Sequence, residues 1–69
     1  MREVIRRFEN EVGYDEIVKF DNDYVATLHS DFYRVSSWCE YKYKQDAIET
    51  FQFNHYWLVA QEKIYNKTR

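Results

Sequence analysis

The sequence predicts an α+β domain: a short N-terminal helix, a three-stranded antiparallel β-meander, and a C-terminal helix packed on one sheet face. Three observations carry this. Residues 33–44 alternate apolar and polar side chains, Asp21-Asn22-Asp23 separates two β-prone runs, and residues 46–65 carry apolar stripes with neither glycine nor proline. Two layers around one core are the stable solution for such an element order.

The elements follow in order. Val4, Ile5, Phe8 and Val12 fall at helical spacing, with Arg6, Arg7, Glu9 and Glu11 turned away, so residues 2–11 read as a short amphipathic helix. Gly13 then stands where a C-cap is expected. A strand competes with this reading, because Val4, Phe8 and Val12 also share parity. Residues 16–20 and 24–28 read as a hairpin, since Asn and Asp tolerate the left-handed backbone of tight loops. A second turn is expected at His29-Ser30-Asp31.

In the long strand, Tyr33, Val35, Ser37, Cys39, Tyr41 and Tyr43 share the core parity, opposite Arg34, Ser36, Trp38, Glu40, Lys42 and Lys44. Asp46 is a candidate N-cap with Glu49 three residues on, as in a capping box. Ala47, Ile48, Phe51 and Leu58 then mark one stripe of the helix, and Phe53, Trp57, Ala60 and Ile64 an adjacent one. The alternative is a helix ending near Asn54-His55 and a terminal strand over residues 56–65, because Tyr56-Trp57-Leu58-Val59 favours strands.

The 69 residues fit one small domain. A chain this short buries only roughly 60% of the surface exposed by its unfolded form. Cys39 is the single cysteine, so no internal disulfide compensates. Aromatic residues, at 20% of the chain, supply the missing core mass. Charged residues interrupt the N-terminal region, no apolar run approaches a membrane span, and the cysteine is solitary. Together these give the expectation of a cytoplasmic protein without a membrane partner.

Catalytic and cofactor chemistry finds no foothold in the pattern. One glycine cannot build a phosphate-cradling loop. His29, Cys39 and His55 are too widely spaced to read as a metal-ligand set. Cys39 shares the apolar parity of its strand and reads as a buried, inert thiol. The expectation is therefore no enzyme, no cofactor and no metal.

Binding is what remains. The net charge of −2 conceals an asymmetry: Glu9, Glu11, Asp15, Glu16, Asp21, Asp23 and Asp31 are opposed within their window only by Lys19. An uneven solvated surface would account for this. The functional reading is an acidic face that steers the chain onto a larger, basic protein partner. It would act as a regulator or inhibitor, of the phage type that mimics nucleic acid and blocks a host or defence enzyme. A second surface is expected on the long strand, where Arg34, Trp38, Tyr41, Lys42 and Tyr43 combine aromatic anchors with positive charge. Nucleic acid is the alternative partner for that strand. A homodimer held by exposed aromatics is the third reading.

Overall fold

The computed structural model describes residues 2–68. Its order is β1 (Arg2–Glu9), β2 (Tyr14–Phe20), β3 (Asp23–Ser30), β4 (Val35–Tyr41) and α1 (Lys44–Thr68). The strands form one antiparallel sheet in sequence order, and α1 packs on one face of it. The α+β class and the C-terminal helix stand as expected. The meander has four strands rather than three, because the N-terminal segment is a strand.

Strand β1 corrects the expected N-terminal helix, and a bulge explains the misleading spacing. Pairing with β2 runs Val4↔Val18 and then Arg6↔Ile17, so one extra residue is accommodated at Ile5. The slip reverses parity along the strand. Ile5 and Phe8, three apart like helical neighbours, both pack against the core cluster of Ile17, Ala47 and Phe51. Val4, on the other side of the bulge, stays 45% exposed.

Gly13 caps no helix; it closes the β1–β2 turn. A Cβ there would collide with the His29 carbonyl, so glycine is needed for close approach of two backbones. Asn10 organises the same turn. Its Oδ1 accepts from the amides of Val12 (3.0 Å) and Gly13 (3.2 Å), and its Nδ2 donates to the Leu58 carbonyl of α1 (3.0 Å). Buried Ser30 ties this turn to the next, donating to the Val12 carbonyl (2.8 Å) and accepting from the Tyr33 amide (3.1 Å).

The β2–β3 loop is Asp21-Asn22, with Asp21 at φ 57°. This is the left-handed conformation that aspartate tolerates better than most residues. The following turn spans residues 31–34, later than expected, and Arg34 takes φ 55° within it. Strand β4 is accordingly shorter than residues 33–44: Arg34 lies in the turn, Lys42 and Tyr43 in the bend before α1, and Lys44 in the helix itself.

Helix α1 runs unbroken to Thr68, which removes the alternative terminal strand. The amides of Asp46 and Ala47 donate to the Tyr43 carbonyl (3.2 and 3.4 Å), so Tyr43 occupies the cap position and Asp46 sits in the first turn. A carboxylate there still opposes the positive helix end favourably. Ala47, Phe51 and Leu58 are the buried helix stripe. Leu58 joins Val12 and Leu28 in one cluster, Ala47 and Phe51 join Ile17 in another, and Phe8 touches both. No helix among the described residues is long and apolar enough to cross a membrane.

Candidate functional site: an aromatic groove on the uncovered sheet face

Because α1 covers one face, strand register defines what the other presents. Four rows cross it: Arg2–Phe20–Asp23, Val4–Val18–Val25–Glu40, Arg7–Glu16–Thr27–Trp38, and Glu9–Tyr14–His29–Ser36. Among the described residues no helix or further strand packs on these rows, yet Val18 and Val25 are 4% and 5% exposed. Neighbouring side chains cover them, and two of those neighbours are large and apolar. Trp38 is 66% exposed and Phe20 49%.

Together with Val25 these rings line a groove of about 280 Å³, completed by Asp21, Asp23 and Glu40. A second recess, lined by Arg2, Glu16, Val18, Phe20, Val25, Thr27 and Trp38, continues it towards β1. An apolar floor with carboxylates at its edge has a definite chemical preference. It accepts a side chain combining an aliphatic stem with a positive head, and a guanidinium stacked on Trp38 gains a cation–π contact as well.

Glu16 anchors the β1 side of this face. Its carboxylate accepts from Arg2 (3.0 Å) and Arg7 (2.9 Å), and the side chain is only 8% exposed. The hydrogen bond to Glu16 is the main reason the Arg7 pKa rises above its already high ordinary value. Arg7 also lies over the Tyr14 ring at 4.2 Å. These contacts stitch β1 to β2 across the bulge.

The seven carboxylates expected on one acidic face are distributed differently. Asp21 and Asp23 flank the aromatic groove. Glu9, Glu11 and Asp31 line a wider, open cleft at the opposite end of the sheet. There Glu9 lies 3.6 Å from Arg7, and Asp31 lies 2.8 Å from His29. Glu16 is held by its two arginines. Asp15 is fully buried under the helix, and neither of its oxygens has a hydrogen-bond partner among the described residues. Burial pushes the Asp15 carboxyl up to about 6, against a smaller opposing pull from His55.

The second expected surface also divides. Trp38 lies on the uncovered face, but Tyr41 points to the helix side, where its hydroxyl meets Thr50 Oγ1 at 2.6 Å. Tyr43 is 71% exposed in the bend before α1, with Lys42 beside it, and Arg34 lies at the other end of β4. Cys39 is partly rather than fully buried, with its sulfur 4.0 Å from Ser37 Oγ. No group of three or more potential metal ligands converges among the described residues.

Phe20, Val25 and Glu40 belong to the groove but were not singled out from sequence. The available signal was β2 itself: Ile17, Val18 and Phe20 place apolar side chains on both parities, as a strand does when both its faces are in use. The chain matches no family model, no curated protein and no solved structure.

Proposed function

We propose that this chain is a small protein-binding regulator or inhibitor that docks through the uncovered sheet face onto a basic segment of a larger protein. The observation that carries the reading is Trp38, two-thirds exposed beside Phe20 and bordered by Asp21, Asp23 and Glu40. Exposed tryptophan is among the commonest interface anchors, while carboxylates around it speed encounter with a positive partner. The same carboxylates would repel a phosphate backbone, so the groove favours a protein over nucleic acid. In this reading Asp21 and Asp23 keep the steering role expected from sequence, and Glu40 joins them.

The test is capture from the native host with wild-type bait, followed by affinity measurements on the protein recovered. Trp38→Ala is expected to weaken that complex by roughly 30-fold or more, the effect of losing a hot-spot residue. The double reversal Asp23→Lys/Glu40→Lys is expected to slow association several-fold at low salt and to have little effect at high salt. A partner that binds Trp38→Ala and the double reversal as it binds wild type would refute the groove as its docking site.

A further inference from the structure

Helix α1 carries a second apolar stripe, which stays exposed. Phe53 and Tyr56 are 75% and 78% exposed, and Ile64 is 50% exposed. With the half-buried Ala60 they are spaced three, four and four residues apart, which returns them to one side of the helix. That side is opposite the stripe of Ala47, Phe51 and Leu58 that packs on the sheet. Glu49 and Lys67, both exposed, bracket it on the same side.

The order of residues along this stripe is self-complementary when reversed. Two copies laid antiparallel, with the two-fold axis level with Leu58, bring Tyr56 over Ala60, Phe53 over Ile64 and Lys63, and Glu49 over Lys67 of the other copy. Each large ring meets a small or aliphatic side chain, and each charge at the margin meets its opposite. The match runs over the 19 residues from Glu49 to Lys67, about 27 Å of helix. A two-fold interface demands this relation, in which residue i meets j and j meets i.

We propose that this stripe is the interface of an antiparallel helix-to-helix homodimer. The four rings of Phe53 and Tyr56 can remove at most about 600 Å² from water at their observed exposure. Ala60, Ile64 and the stems of Lys63 and Lys67 bring the total near the roughly 1,000 Å² at which specific interfaces begin. The dimer is therefore of the weak, concentration-dependent kind. It leaves the sheet groove open and does not depend on what occupies that groove.

Sedimentation of the full chain across the micromolar to millimolar range tests the proposal, with circular dichroism confirming that each variant keeps its fold. Wild type is expected to pass from monomer to dimer, and Phe53→Glu is expected to weaken the dimer ~30-fold or more. Glu49→Lys and Lys67→Glu are each expected to weaken it by about tenfold, since each places like charges together at both ends of the interface. The double variant E49K/K67E restores opposite charges and is expected to return to near wild-type affinity. A wild-type chain that stays monomeric throughout overturns the proposal. So does a dimer indifferent to Phe53→Glu, or one that the double reversal fails to rescue.

Discussion

At the scale of single residues, side-chain type was legible in the sequence, but the environment that decides its role was not. Asp15 and Glu16 are adjacent acids that read alike, yet one lies under the helix and the other between two arginines. Parity separates them only once the strand is paired and its faces are assigned. Asp15 has a measurable consequence. Its folded pKa of about 6 exceeds the ordinary 3.8, so the folded state favours the protonated carboxyl. Stability is then undiminished below about 4, falls as pH rises through 6, and stays reduced above it. The full penalty is on the order of 3 kcal/mol. Asp15→Asn cannot ionise and is expected to raise stability at pH 7.5 by ~1–3 kcal/mol in urea denaturation, while changing little at pH 4. Equal effects at the two pH values would mean that the buried charge is not what limits stability.

At the scale of elements, β4 and α1 were legible because each keeps one period throughout its length. β1 was not, because a bulge imposes a three-residue interval on a period of two, and amphipathic helices show the same interval. The turn at Gly13 was misread for a related reason, whereas the one at Asp21-Asn22 was placed correctly. Gly13 is required by a backbone contact from β3, a long-range fact that imitates a local cap signal. Gly13→Ala would drive its methyl into the His29 carbonyl and is expected to cost ~2–3 kcal/mol, as overpacking against rigid backbone does. Asn10→Ala removes two bonds within the turn and one to α1. Its cost should also be about 2–3 kcal/mol, given roughly 1 kcal/mol for each bond. Hydrogen exchange locates the damage: with Asn10→Ala, protection should fall in residues 10–13 and in the helix around Leu58 before it falls in β2 and β3. Uniform loss of protection would show that the turn does not latch the helix.

At the scale of the whole molecule, the sequence conveyed an excess of apolar and aromatic side chains without revealing that one core could not absorb them all. A single helix on a four-stranded sheet buries one sheet face and one helix stripe. Phe20 and Trp38 are left on one outer surface, and Phe53 and Tyr56 on the opposite one. The antiparallel dimer would cover the second and set two grooves facing away from each other, so a repetitive partner would be bound through both. A domain this small is marginally stable, which couples association to folding. Because such a dimer would form only from folded chains, mass action would raise the apparent stability as concentration exceeds the dissociation constant, by RT ln(1 + [L]/Kd) in the simplest case. A hundredfold excess corresponds to about 2.7 kcal/mol, on the order of 10–20 °C in Tm for a domain under a hundred residues. The melting temperature of wild type is therefore expected to climb with protein concentration, and that of Phe53→Glu to climb far less over the same range. Trp38→Ala leaves the helix stripe intact and is expected to climb like wild type, so the groove and the dimer face can be separated in one set of calorimetric melts. A flat wild-type profile would leave Phe53 and Tyr56 as solvent-facing rings with no share in stability.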